Sequence, residues 1–148
     1  MKAIKTIAAC ALCVWASHAA AEDYSIVVHG LSYHTQARLS RAPWNEVNLG
    51  LALRIKQSSD LSYQVGGYKD SLFRPNVYGL IDYTPWQIAG LQVGGFAGVR
   101  YYGQFLPIVG TTVRYEQSDW AVTVRIAPAP QGIKQIGIVY AVEFSRSF

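Results

Sequence analysis

Residues 44–54 read Trp44-Asn45-Glu46-Val47-Asn48-Leu49-Gly50-Leu51-Ala52-Leu53-Arg54 and alternate from Glu46 to the end of the stretch. Val47, Leu49, Leu51 and Leu53 fall on one side, and Glu46, Asn48, Gly50, Ala52 and Arg54 on the other. Successive side chains of a strand point to opposite faces, so a period of two makes this a strand with one wholly aliphatic face. A soluble lipocalin-like barrel would turn the aliphatic face inward and the polar face to water. Here glycine, arginine and amide share a face, as they do where a strand has lipid outside and a crowded polar lumen inside.

The same reading extends in both directions. Tyr24 to His34 forms a first strand, with Val27, Leu31 and Tyr33 opposite Val28, Gly30, Ser32 and His34, and Thr35 to Pro43 is the longest connection. The third strand sets Leu61, Tyr63 and Val65 against Ser62, Gln64, Gly66 and Tyr68. The fourth sets Val77, Gly79, Ile81 and Tyr83 against Asn76, Tyr78, Leu80 and Asp82, and Thr84-Pro85-Trp86 is expected to break it. Further runs of alternation cover Leu91–Tyr101, Leu106–Tyr115, Trp120–Ile126 and Ile136–Phe148. Eight strands in one domain predict an all-β, eight-stranded antiparallel transmembrane β-barrel of outer-membrane type. An even strand number puts both termini at one end. Tyr33, Trp44, Tyr83, Trp86, Tyr101, Tyr102 and Trp120 fall near strand ends, where aromatic girdles meet the membrane interfaces.

The first 21 residues stand apart from this pattern. Lys2 and Lys5 precede an apolar run from Ile7 to Ala16 that ends in Ala19-Ala20-Ala21, the layout of a secretory signal peptide. The expected division is therefore 1–21 signal peptide and 22–148 barrel domain. Cys10 and Cys13 both lie in the leader, which excludes disulfides and thiol chemistry from the mature chain. The formal charge of +4 includes the two leader lysines, and the arginines are scattered singly, so nucleic acid is not an expected partner. After Ala21 no run approaches the roughly 20 apolar residues of a membrane helix. A closed barrel is the other way to satisfy a backbone in lipid. The expected location is the bacterial outer membrane. Alternate apolar residues ending on Phe148 are similar to the signal read by the outer-membrane barrel assembly machinery, an expected partner during biogenesis.

One corner carries possible chemistry. Gly66-Gly67-Tyr68-Lys69-Asp70-Ser71 runs out of the third strand into an acid and a hydroxyl, at the rim where His34 ends the first strand. Imidazole, hydroxyl and carboxylate are the ingredients of acyl transfer. Asp-Ser is also ordinary turn chemistry. Adjacent strand residues face opposite ways, so both can serve one substrate only if the backbone leaves the ladder there. The inward residues Glu46, Arg54, Asp82, Arg100, Arg114 and Arg125 read as a paired polar filling rather than a substrate site. Pro107 and Pro128, which cannot donate to a ladder, either end their strands or hold two neighbours apart as a lateral lipid gate.

In pattern and order these residues resemble the PagP family, the lipid A palmitoyltransferases of the outer membrane. The likeness rests on Tyr33-His34, Trp44-Asn45-Glu46, Tyr68-Lys69-Asp70-Ser71, Leu106-Pro107 and Ile126-Ala127-Pro128, and spans nearly the whole mature chain. It implies catalytic roles for His34, Asp70 and Ser71, a phospholipid acyl donor, and lipid A or lipopolysaccharide as acceptor. It implies no cofactor and no metal. Whether the serine is a covalent nucleophile or positions the ester is left open. A hydrolase using the same three residues and a non-catalytic structural barrel are the alternatives. Tyr78 and Leu80 on the inner face of the fourth strand predict an acyl chain shorter than palmitate.

Overall fold

A computed structural model describes residues 23–35, 45–130 and 136–148. The leader, the stretch from 36 to 44 with Arg38, Arg41 and Trp44, and the segment 131–135 lie outside the described residues. Eight strands follow in chain order: β1 (Asp23–His34), β2 (Val47–Lys56), β3 (Leu61–Lys69), β4 (Pro75–Ile88), β5 (Leu91–Tyr101), β6 (Phe105–Gln117), β7 (Trp120–Pro130) and β8 (Ile136–Ser147). Each pairs antiparallel with the next, and β8 returns to β1 to close the barrel. Closure leaves the sheet without an edge strand, the condition for crossing lipid without helices.

The outer surface is the aliphatic face expected of β2, continued around the cylinder. Leu49, Leu51, Val65, Val77, Ile81, Val99, Val109, Val142 and Phe144 are all exposed. Water would not tolerate so continuous an apolar belt on a monomer, whereas hydrocarbon solvates it. The chain is therefore a transmembrane β-barrel. Tyr33, Tyr83, Trp86 and Tyr101 stand exposed toward strand ends, as girdle residues do, while Tyr102 instead turns into the lumen.

Odd-to-even connections lie at one end, here called the mouth, and both termini lie at the other, the base. At the base the last residue is tied in, since the Phe148 N–H donates to the Tyr24 carbonyl at 3.0 Å. The lumen above the base is filled by charge. Arg125 Nη2 lies 2.8 Å from Asp82 Oδ2, and Arg125 Nε lies 3.0 Å from Glu143 Oε1. Arg54 reaches Gln64 Oε1 at 2.8 Å and Glu143 Oε2 at 3.3 Å. Thr112 donates to Asp82 at 2.7 Å, and Arg114 lies 3.7 Å from the same carboxylate. Nearer the mouth the lumen turns apolar, with Val27, Ala52, Tyr78, Leu80 and Phe96 packed together.

Four features depart from strict alternation. The first strand changes phase: Ser25, Val27 and His29 point inward with Ile26 and Val28 outward, whereas beyond Gly30 it is Ser32 and His34 that point inward. A bulge is the cause, since the register of β1 slips between His29 and Leu31 against β2 and between His29 and Ser32 against β8. Val27 is thus a lumen residue and Val28 a lipid-facing one, the reverse of the alternation reading. Second, Thr84-Pro85-Trp86 does not end β4. The strand absorbs the proline in a register shift between Tyr83 and Trp86 and continues to Ile88. Third, Pro107 and Pro128 lie inside β6 and β7, paired with Val99 and Ile138, so neither ends its strand. Fourth, Glu46 and Arg100 stand outside the polar filling, and its second carboxylate is Glu143.

Close strand approach explains particular glycines. A Cβ on Gly98 would lie 2.2 Å from the Gly79 carbonyl oxygen and 2.7 Å from the Leu80 side chain. Gly98→Ala is expected to force β4 and β5 apart at a cost of about 1–3 kcal/mol. Urea unfolding of the detergent-refolded barrel measures it, and an unchanged midpoint would show that the two strands can yield.

Candidate active site at the barrel mouth

The chain leaves the β3 ladder after Lys69 and rejoins at Pro75, so the corner between them must satisfy its own polar groups. The Asp70 side chain does most of this. Its Oδ1 accepts from the N–H groups of Leu72 at 2.9 Å and Arg74 at 2.8 Å, and its Oδ2 accepts from Arg74 Nε at 3.1 Å and Nη2 at 3.0 Å. The Phe73 N–H donates to the Asp70 carbonyl at 2.9 Å. Phe73 itself sits at a φ of 61°, a left-handed conformation that a bulky residue holds only when its surroundings fix it. Burial works to raise the Asp70 carboxyl, but the donors from Arg74 and Leu72 outweigh it and hold the group below the ordinary carboxylate value. The contribution of Asp70 to the corner is therefore complete at neutral pH and is lost as the pH falls through that lowered value.

Leaving the ladder also solves the facing problem. Asp70 and Ser71 are both buried, yet their side chains go to different partners. Ser71 Oγ lies 3.0 Å from His34 Nε2. Ser71 is held from behind, its carbonyl accepting from the Asn45 N–H at 2.8 Å. The structure thus brings together two of the three site residues expected from the sequence, as a hydroxyl and base within hydrogen-bonding distance. It gives Asp70 a different place. That carboxylate is engaged by Arg74 and the corner amides, and it holds the turn that carries Ser71.

Both side chains open onto a cavity of about 810 Å³ that descends from the mouth, within the range of small-molecule sites. Leu80, Phe96, Ile108, Ala127 and Val139 line its walls, and His29, Tyr78, Arg125 and Glu143 close its floor. His29 Nε2 lies 2.6 Å from the Tyr78 hydroxyl, and His29 Nδ1 lies 3.3 Å from Glu143, so the floor is joined to the polar filling. Sequence reading missed His29 because of the bulge in β1. It missed Glu143 because the aliphatic alternation of β8 hides a single inward acid.

The wall between β6 and β7 is incomplete. Their pairing reaches only Thr111 opposite Ile126, whereas β5 and β6 stay paired up to Tyr101 opposite Phe105, and β7 and β8 up to Pro130 opposite Ile136. Toward the mouth each of the two strands stays paired with its outer neighbour and not with the other. Pro107 and Pro128 sit on the segments not paired with each other, and both line the cavity.

Fold and site together define a small transmembrane β-barrel with an apolar chamber and a hydroxyl–imidazole pair at its lip. No protein-family model matches the chain, and no curated protein matches it. Among solved structures it is similar to one described as "De novo design of transmembrane beta-barrels", with a TM-score of 0.58 and 17% identity over 85% of this chain and 95% of that one. It is also similar to the solution NMR structure of the de novo designed TMB2.3, with a TM-score of 0.60 and 13% identity over 87% of this chain and 96% of that one. At these identities the likeness is one of fold.

Proposed function

We propose that this barrel is a bacterial outer-membrane acyltransferase resembling the PagP family, moving a fatty acyl chain from a phospholipid to lipid A. The observation that carries the reading is the 3.0 Å approach of Ser71 Oγ to His34 Nε2 at the lip of an apolar chamber. The donor's acyl chain enters through the seam between β6 and β7, where Pro107 and Pro128 withhold the N–H groups that would close it. His34 takes the proton of the attacking hydroxyl, which adds to the ester carbonyl. The glycerol oxygen leaves with that proton, releasing a lysophospholipid. In a two-step route the attacking hydroxyl is that of Ser71, and the acyl-serine then passes its chain to a lipid A hydroxyl. In direct transfer the acceptor hydroxyl attacks and Ser71 positions it. An acyl mass adduct on Ser71 in a single turnover separates the two.

The chamber sets the chain length. Tyr78 and Leu80 are buried on its inner wall, so a donor with an acyl chain shorter than palmitate is expected to react fastest. Leu80→Ala should move the optimum toward longer chains. The test is a competition among phosphatidylcholines of graded chain length, given to the purified barrel with lipid A in mixed micelles. An optimum at palmitate in the wild type would contradict the assigned depth. Water as acceptor on the same pair is the second reading, since a hydrolase needs the same hydroxyl and imidazole. It predicts free fatty acid and lysophospholipid with no acylated lipid A.

A further inference from the structure

His34 ends β1 and Ser71 follows β3, and these strands are not neighbours, because β2 lies between them. No ladder of backbone hydrogen bonds therefore sets the distance between imidazole and hydroxyl. The Asn48 side chain, near the start of β2, spans that gap. Turned one way its amide oxygen would face the carbonyl oxygens of Lys69 and Asn45, so the amide takes the other orientation. Its nitrogen then donates to the Lys69 carbonyl at 3.1 Å and to the Asn45 carbonyl at 3.2 Å, and its oxygen accepts from the Ser32 hydroxyl. These contacts fall where the sheet is interrupted. On the mouth side the β2–β3 register ends at Gly50 opposite Tyr68, and the β1–β2 register slips between His29 and Leu31. The positions joined are also matched. Ser32 precedes His34 by two residues on the inward face of β1, and Lys69 precedes Ser71 by two residues where β3 gives way to the corner. Asn45 is the residue whose N–H holds the Ser71 carbonyl at 2.8 Å. One amide thus ties the strand that carries the imidazole to both backbone supports of the hydroxyl. Ser32 is buried, Asn48 is half-buried, and both line the chamber.

We infer that Asn48, held by Ser32, is a positioning residue for the acyl transfer, a clamp that sets the approach of Ser71 Oγ to His34 Nε2. Both of its amide protons are engaged by the chain, so it acts through the pair and does not touch the reacting ester. Reacting groups must be held to within a fraction of an ångström, and a displacement of about 1 Å can cost roughly 100-fold in rate. The reaction that the clamp serves rests on the reading above. The contact that it sets does not.

The test reads the ring nitrogen resonances of His34 in the full barrel refolded in detergent micelles, identified by their loss in His34→Ala. Ser71→Ala gives the signature of a ring that has lost its hydroxyl. Asn48→Ala should carry the signals at least halfway to that signature, and Ser32→Ala should move them the same way. Ser32→Thr, which keeps a hydroxyl, should return them toward the wild-type position. Lys56→Gln, which breaks the 2.7 Å pair with Glu116 at the base, should leave them in place. Kinetics with phospholipid and lipid A in mixed micelles form the second arm. In Asn48→Ala kcat should fall about 10- to 100-fold with KM unchanged, the mark of misplaced reacting groups rather than lost binding. Wild-type ring signals in both Asn48→Ala and Ser32→Ala would overturn the clamp, and so would shifted signals with a wild-type kcat. A ring displaced as far by Lys56→Gln as by Asn48→Ala would reduce the effect to general loosening and overturn it too. If Asn48→Ala does not fold, Ser32→Ala carries both arms. Ring signals that follow this pattern in a barrel without turnover would sink the acyltransferase reading and leave the clamp on the Ser71–His34 contact standing.

Discussion

Alanine at His34 is expected to lower the rate of acyl transfer by a factor of about 10²–10⁴, the usual contribution of a positioned general base. The imidazole lies 3.0 Å from Ser71 Oγ, and losing it leaves the attacking hydroxyl without a proton acceptor at the lip of the chamber. Ser71→Ala should fall as far if the serine is acylated, and less if it only orients the acceptor. Asp70→Asn should behave differently from both. An asparagine can still accept from the Leu72 and Arg74 amides through its oxygen, but it gives up the charge that meets the Arg74 guanidinium. Its defect should therefore be smaller than that of His34→Ala and accompanied by a loosened corner, seen as faster amide exchange at Leu72 and Arg74. Wild-type rates in both His34→Ala and Ser71→Ala, measured on folded barrels in micelles, would remove the catalytic assignment.

The largest expected effect on stability is at Glu143. Its carboxylate meets Arg125 at 3.0 Å, Arg54 at 3.3 Å and His29 at 3.3 Å, so Glu143→Ala leaves Arg54 inside the barrel with no carboxylate among the described residues and Arg125 with Asp82 alone. Removing one partner of a buried ion pair typically costs about 3–5 kcal/mol, because the charge left behind has neither water nor counter-ion. Asp82, met by Arg114 and Arg125, is then the sole carboxylate of the network among the described residues. A combined change of Glu143 and Arg54 to apolar residues should restore part of the loss, since it removes the stranded charge. Urea unfolding of the refolded barrel reads both variants. A Glu143→Ala midpoint equal to that of wild type would mean that the filling is solvated and contributes nothing.

Much of the architecture could be read in advance because lipid imposes a rule that a single strand expresses. Residues Val47 to Leu53 must alternate wherever one face meets hydrocarbon and the other a narrow lumen, whatever their neighbours do. Where alternation misled, the backbone had slipped. The bulge near Gly30 turned Val27 and His29 inward, and the shift around Pro85 carried β4 past a residue that usually ends a strand. Neither is visible until two strands are laid side by side. The rim location of His34 and Ser71 followed from topology, since strand ends of the same parity share a rim. Their contact depended on the turn geometry of Leu72 and Phe73, and the diversion of Asp70 to Arg74 depended on a side-chain competition that local sequence does not rank. The role of Glu143 lay furthest from view. Its partners are set across the lumen by strands far apart in the chain.

The central claim is tested most directly by the mass spectrum of lipid A from Gram-negative cells expressing the wild-type chain or His34→Ala. The account predicts that lipid A from wild-type cells gains the mass of one acyl chain shorter than palmitate, and that His34→Ala cells show none of that species. Lipid A unchanged in mass, from cells in which the folded barrel is present in the outer membrane, would contradict it.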